Sequence, residues 1–330
     1  MTQASDGRVA VHDLAGRHIF LTGGTGAVGR TLLDYLDRCD AAHGGLRVTV
    51  LTRDGKAFAD RHPAQAQRHW LELVEGSLSA LPPLPVGTTD VIHAAADTHL
   101  GTGHAAWIDQ IVGGTRVLLD AAVQARAGRF LLVSSGAVYG PQPASVATLN
   151  EDYHGAPDPL LPGSTYGQAK RVAEQLCTIA CHEHGLATVI ARLFAFGSAH
   201  MPRDDRYALG SFVRDALAGD ERPIEVAGDG LAVRSYLGGN DMAHALVTAL
   251  TLGRAGTAYN IGSDEPVMIR ALAERVRDRL SPRRNVLVRG AAGNGQRSRY
   301  VPDVDRIVAL GAVSKTDLDS VIDEVAGATT

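Results

Sequence analysis

Tyr166-Gly-Gln-Ala-Lys170 puts a phenol and an amine on one helix face, about one turn apart. A lysine cation beside a phenol lowers the phenol's pKa, because positive charge favours the phenolate. Ser135 lies upstream, and a serine hydroxyl near that phenol can hydrogen-bond the same substrate oxygen. Together such groups move a proton while a cofactor moves a hydride. The spacing alone also describes ordinary helix surface, so the reading depends on the elements around it.

The first supporting element is His18-Ile-Phe-Leu-Thr-Gly-Gly-Thr-Gly-Ala-Val-Gly29. Ile19 to Leu21 read as a short buried strand, and Arg30 to Leu36 have helical apolar spacing. Between them Gly23, Gly26 and Gly29 follow a Gly-x-x-Gly-x-x-Gly pattern. In such a strand–turn–helix the first glycine permits the tight turn. The second lets backbone approach a pyrophosphate, and the third lets helix pack on strand. The helix N-terminus offers free N–H groups and a positive dipole end to the phosphates. Thr22, Gly23, Thr25, Gly26, Ala27, Val28 and Gly29 are therefore candidate cofactor contacts.

The next strand, Arg47-Val-Thr-Val-Leu-Thr-Arg-Asp54, bears on which cofactor is taken. An acidic residue at its carboxyl end would hold the ribose 2′-hydroxyl of NAD, whereas an arginine there accommodates the 2′-phosphate of NADP. The strand ends in Thr52-Arg53, and Asp54 comes late. Arg53 favours NADP, with NAD as the alternative.

Strand-like runs at 18–22, 47–52, 71–74, 90–94, 129–134 and 187–192 alternate with helical segments at 27–38, 105–126 and 165–184. This alternation predicts an α/β fold with a parallel, doubly wound sheet. Ligands of such sheets bind at the carboxyl ends of the strands. Loop-rich stretches interrupt the pattern at 79–88, 141–163 and 197–208, the last leading toward a smaller substrate-binding region. Asp241 to Leu252 again has helical spacing.

The bulk composition fits a soluble enzyme: 330 residues, 45% hydrophobic, 21% charged, net charge −4. That charge gives no electrostatic case for nucleic acid or an anionic membrane. No apolar run reaches the roughly 18 residues of a membrane span. Met1 to His12 is polar, without the apolar core of a secretory signal, so a cytoplasmic protein with a loose tail is expected. Three cysteines make no disulfide framework. Cys177 and Cys181 share a helix face and read as packing residues. No metal site is expected.

The ordered motifs identify a resemblance. Beside the glycine turn and the Tyr–Lys pair stand Val91-Ile-His-Ala-Ala-Ala96, Leu132-Val-Ser-Ser-Gly-Ala-Val-Tyr-Gly140 and Arg192-Leu-Phe194. Gly228-Asp-Gly-Leu-Ala-Val-Arg-Ser-Tyr-Leu237, Tyr259-Asn-Ile-Gly-Ser263 and Arg299-Tyr-Val-Pro-Asp303 follow. Over about residues 17 to 312 the chain resembles the extended short-chain dehydrogenase/reductases, in the NAD(P)-dependent nucleotide-sugar epimerase, dehydratase and 4-ketoreductase group. The resemblance implies a Rossmann-type domain at 17–195, regained at about 236–262, after a tail at 1–16. It implies a substrate-binding region from 196–235 and 263–330.

It also implies roles. Ser135, Tyr166 and Lys170 would be catalytic, with Tyr166 exchanging the proton and Lys170 also binding the nicotinamide ribose. Ser134 would lie on the cofactor side. Ala94, Ala95 and Ala96 would leave room beside the adenosine. Arg234 would clamp a substrate diphosphate, for which a planar guanidinium is suited. Arg297 or Arg299 would be a second clamp, and Thr98, Ala137 and Tyr139 would face the sugar. The implied partner is a nucleotide-diphosphate sugar, and a homodimer is left open.

Departures narrow the reaction. Dehydratases of this group carry Asp-Glu right after the catalytic hydroxyl residue, and decarboxylating relatives also place a Glu there. Here those positions are Gly136 and Ala137. The family's Arg-x-Phe-Asn becomes Arg192-Leu-Phe-Ala195, and its Asn ahead of Gly-Thr becomes Ile111. What remains is reversible hydride chemistry at a sugar carbon. An NADPH-dependent 4-ketoreductase of an NDP-4-keto-6-deoxyhexose is the expectation, and an NAD-dependent 4-epimerase is the alternative. A reductase of a non-sugar carbonyl and a non-catalytic cofactor-binding regulator stay open.

Overall fold

The computed structural model describes residues 11–95, 103–290 and 298–327. Its centre is a seven-stranded sheet. The strands are β1 (His18–Thr22), β2 (Arg47–Thr52), β3 (Leu71–Glu75), β4 (Asp90–His93), β5 (Arg129–Ser135), β6 (Ala187–Leu193) and a seventh at Thr257–Ile261. From one edge the order runs β3, β2, β1, β4, β5, β6 and then the seventh strand. All six pairings are parallel. Order reverses between β1 and β4, the point where ligands of doubly wound sheets sit.

Alternate side chains feed two cores. Ile19, Leu21, Leu131 and Val133 point to one face, under α1 (Ala27–His43) and the Gly239–Leu252 helix. Phe20, Phe130, Leu132 and Ile190 point to the other, under the helices between β4 and β6. Burial on both faces explains why the central strands read as continuous apolar runs.

The six expected strands and the α1 and 165–184 helices form within a few residues of the expected bounds. The 105–126 helix is broken. His104–Ile108 is α-helical, Asp109–Gly113 makes a π turn, and Gly114–Gln124 resumes the α-helix. The seventh strand had no strand-like run to announce it. Its Asn260 is a polar residue that is fully buried. Fold contacts satisfy it: its amide donates to the Leu149 and Asp303 carbonyls, and its backbone N–H to Glu151.

A third apolar cluster joins Leu209, Phe212, Val213, Ile224, Leu272, Val276, Val321 and Ile322. Beside it a small sheet sets Val233–Arg234 between Val267–Met268 and Arg299–Tyr300. Among the described residues no helix is long and apolar enough to cross a membrane.

Candidate active site

The glycine turn is tight because the chain passes close to itself. Gly23 has φ +75°, and a Cβ there would lie 2.6 Å from the Ala94 carbonyl and the Ala95 nitrogen. A Cβ on Gly29 would lie 2.2 Å from the Gly23 oxygen, so only glycine lets α1 start this near β1. Gly26 caps α1 without a side-chain hydrogen bond, and Thr25 and Gly26 are exposed. The first N–H groups of α1, at half-buried Ala27 and Val28, thus lack intrahelical partners, as every helix start does. This cradle fits a pyrophosphate.

Thr22 has a different job from the one expected. Its hydroxyl is buried and pairs with His93 Nδ1 at 2.7 Å, while His93 Nε2 reaches Thr115 at 3.1 Å. Burial holds His93 down to about 3, helped by the nearby Lys170 cation, so the ring is neutral. Thr22 therefore braces β1 against β4 and does not face a ligand.

At the end of β2, Arg53 is exposed. The Asp54 carboxylate is engaged as a helix cap, accepting from the Ala57 N–H at 2.8 Å. Arg30, Arg61 and His62 neighbour one another: burial lowers the Arg30 pKa, Asp34 raises it and Arg61 lowers it, while burial and the two arginines lower that of His62. Two further acids stand at this end of the sheet: Asp34 accepts from Gln65 and Arg68, and Glu75 accepts from the Gly55 N–H at 3.3 Å.

Ser135 ends β5 and caps the following turn, its Oγ accepting from the Ala137 N–H at 3.1 Å. Tyr166 and Lys170 come from the Thr165–His184 helix, so strand and helix bring the three residues together. Burial pushes the Tyr166 phenol up to about 12, and the Ser135 hydroxyl offsets part of that. Burial holds Lys170 down to about 8, opposed by Glu174. The Lys170 ammonium donates to the Val133 carbonyl at 2.9 Å and lies 6.0 Å from the Tyr166 ring centre. Desolvation therefore outweighs the lysine's expected effect on the phenol. Trp107 packs edge-on against Tyr166, with ring centres 5.8 Å apart.

One turn beyond Lys170, Glu174 accepts from Ser134 Oγ at 2.7 Å and pairs with Arg192 at 2.8 Å. Ser134 is therefore buried under the helix, with its hydroxyl unavailable to a cofactor. Tyr139 is corrected likewise. It is 1% exposed, donates to Asn260 Oδ1 at 2.8 Å and accepts from Arg192 at 2.9 Å, so it joins the turn to the seventh strand.

On the substrate side, half-buried Ala137 sits in the turn after Ser135. Arg234 and Tyr300 are register partners in the small sheet, and the guanidinium lies 5.9 Å from the Tyr300 ring centre. Its Nη1 donates to the Val233 carbonyl at 2.8 Å. Arg299 is one residue from Tyr300 and so points to the opposite face of the strand. There its Nε donates to the Ala147 carbonyl at 2.6 Å. Ala96, Thr98 and Arg297 lie outside the described residues.

The space above Gly136 is filled. A Cβ there would lie 2.5 Å from the Tyr300 hydroxyl and 2.6 Å from Phe194 Cζ. Phe194 and Tyr300 stack with ring centres 4.5 Å apart. The Ser135 hydroxyl lowers the pKa of both the Tyr300 and Tyr166 phenols, against the larger rise that burial causes. Sequence reading assigned no role to Tyr300, Phe194 or Glu174. Only Glu174 carried a signal, the four-residue step from Lys170 along one helix face.

Comparison with known proteins agrees with this architecture. The low-salt glycan biosynthesis protein of Haloferax volcanii is 28% identical over 89% of this chain and 92% of its own. A dTDP-glucose 4,6-dehydratase of Actinoplanes is 31% identical, covering 74% of this chain and 76% of its own. Among solved structures, the UDP-glucose 4-epimerase of Thermotoga maritima with UDP-glucose superposes with a TM-score of 0.77 at 20% identity, over 94% of this chain and 98% of that one. The UDP-glucuronic acid 4-epimerase of Bacillus cereus, in complex with UDP-glucuronic acid and NAD, gives 0.79 at 19% identity, over the same shares of the two chains. The sequence profile of one family matches residues 19–262, and the chain belongs to that family, the NAD dependent epimerase/dehydratases.

Proposed function

We propose that this chain is an NADPH-dependent 4-ketoreductase of an NDP-4-keto-6-deoxyhexose. The observation that carries the reading is the pairing of an intact Ser135–Tyr166–Lys170 set with a carboxylate-free Gly136–Ala137, whose space Tyr300 and Phe194 fill. Proton exchange at a carbinol oxygen needs only the first set. Eliminating water or carbon dioxide calls for an acid or base at the second.

The bound nicotinamide cofactor would supply the hydride. The α1 N-terminus and the glycine turn would hold its pyrophosphate, and Arg53 with Arg30 its adenosine phosphate. Tyr166, neutral below about 12, gives its proton to the substrate oxygen. Ser135 donates a hydrogen bond to the same oxygen. Lys170 fixes the site's charge from beneath. Arg234 would hold a substrate phosphate, and the segments 196–235 and 263–330 would form the sugar-nucleotide side.

The decisive assay offers dTDP-, UDP-, CDP- and GDP-sugars, with and without a 4-keto group, and follows NADPH absorbance and product mass. NADPH consumption with a gain of two hydrogens is the expected result. An isomer of unchanged mass makes the chain a 4-epimerase, which uses the same three side chains with a tightly held NAD. Loss of water from an unmodified hexose overturns the reading of Gly136 and Ala137.

A further inference from the structure

Arg30 stands in the first turn of α1, directly after the glycine turn. Helical side chains lean toward the N-terminus, so Arg30 leans back toward the phosphate cradle. Asp34 lies four residues on, the spacing at which an arginine and a carboxylate on one helix face normally pair. Instead, the Gln65 side chain stands between them, only 6% exposed. It comes from the Pro63–Ala66 helix, in the segment that leads on from Arg53. Its Oε1 accepts from Arg30 Nε at 2.9 Å, and its Nε2 donates to Asp34 Oδ1 at 2.7 Å. The amide cannot be reversed, because a guanidinium only donates and a carboxylate only accepts. Nε2 also reaches the Arg30 carbonyl at 3.3 Å. Asp34 is further occupied by Arg68 at 2.8 Å and His200 at 2.5 Å. Among the described residues, the two terminal nitrogens of Arg30 have no hydrogen-bond partner.

We infer that Gln65 is a positioning residue for cofactor choice: it holds the Arg30 guanidinium by Nε, keeps it off Asp34, and leaves the terminal nitrogens as an open fork for the adenosine 2′-phosphate. An arginine already paired with a carboxylate has committed the planar fork that binds phosphate bidentately. Removing the Gln65 amide frees a lone pair on Asp34 and lets Arg30 swing onto it. The cofactor then loses a phosphate contact although no residue touching it has changed. This role rests on the NADP reading proposed above.

Calorimetric titration with adenosine 2′,5′-bisphosphate and with 5′-AMP tests it without any sugar substrate. The two probes differ only by the 2′-phosphate. Wild type is expected to bind the bisphosphate about tenfold or more tightly, the scale of a hydrogen bond to a charged group. Gln65→Leu should lose most of that preference, with its 5′-AMP affinity nearly unchanged. The retained 5′-AMP affinity reports an intact cradle. Adding Asp34→Asn removes the carboxylate that captures Arg30 and should restore part of the preference, a recovery that a merely structural role would not give. If Gln65→Leu fails to bind 5′-AMP, Gln65→Met, which keeps the length without the amide, carries the same expectations. A Gln65 variant that binds 5′-AMP and keeps the wild-type preference overturns the positioning role and leaves the NADP reading standing. A loss that Asp34→Asn does not repair has the same meaning. Equal binding of the two probes by wild type overturns the NADP reading, and the role of Gln65 with it.

Discussion

Lys170 lies one helical turn from Tyr166, yet its ammonium donates to the Val133 carbonyl rather than meeting the phenol, with 6.0 Å between the nitrogen and the ring centre. Lys170 is buried and Tyr166 half-buried, and loss of water acts on the two in opposite senses. It raises the phenol to about 12 and lowers the amine to about 8. Both shifts favour the neutral side chain, which is what low dielectric does to any ionisable group.

For Tyr166 the consequence is a neutral phenol, which the proposed reaction would use as its proton donor. Tyr166→Phe should lower turnover about a hundredfold or more, the usual contribution of a positioned general acid. NADPH affinity should be unchanged, since the cradle is built from α1 and β1. Rates and cofactor titrations of the two proteins check this, and near wild-type turnover would refute the role.

For Lys170 the consequence is a stability that depends on alkaline pH. An unfolded lysine titrates near its ordinary 10.5, and the folded one near 8. Between those values the unfolded chain binds more protons, so stability rises with pH there, by about 1.4 kcal/mol per unit at most. Lys170→Met removes this group. Urea midpoints of wild type minus variant should climb from pH 8 toward 10, while the variant loses turnover. A flat difference would show that Lys170 is not desolvated.

His93 gives the mirror case in acid. Held neutral between Thr22 and Thr115, it titrates near 3 when folded and near 6.5 when unfolded. Below pH 6.5 the unfolded state takes up a proton that the folded state refuses, so stability falls as the pH drops toward 3. His93→Gln should be less stable at pH 7, because the threonine pair loses its geometry, but should lose less between pH 6.5 and 4 than wild type does. Thermal melts over that range decide it.

In the proposed reading Arg53 selects NADP. Asp54 is held as the cap of the Gly55–Arg61 helix and cannot turn to a ribose hydroxyl without losing that bond. Arg53→Ala should weaken NADPH about tenfold or more while leaving NADH nearly unchanged, the scale of a hydrogen bond to a charged group. Fluorescence titration of both cofactors is the measurement. A wild type that binds NADH more tightly would overturn the NADP preference and favour the epimerase.

The sheet and the glycine turn were legible because their signals are local. A buried strand, a turn that only glycine allows and a helical apolar stripe each sit within a few consecutive residues. The Tyr166–Lys170 relation was legible for the same reason. The rest depends on register between distant segments. Ser134 and Ser135 are adjacent and chemically identical, and only the strand's alternation buries one against Glu174 and leaves the other half-buried at the strand end. Arg299 and Tyr300 are separated by the same alternation. Tyr139 looks like a ligand contact until the fold shows that its hydroxyl is taken by Asn260.

Gly136 offers the last test, because its neighbours make a clear steric claim. Installing the dehydratase pair by Gly136→Asp with Ala137→Glu forces a Cβ to within 2.5 Å of the Tyr300 hydroxyl and 2.6 Å of Phe194. Both rings are held by their mutual stacking, so neither yields freely. Overpacking of this kind costs about 1–3 kcal/mol, and a buried carboxyl without partners adds to it. The double variant should melt lower and should not dehydrate an NDP-hexose. Adding Tyr300→Ala opens the space and should recover part of the melting temperature, a coupling that two independent sites would not show. Dehydration by the double variant with Tyr300 intact would mean that the missing carboxylates alone, and not the filled space, keep this site from eliminating water.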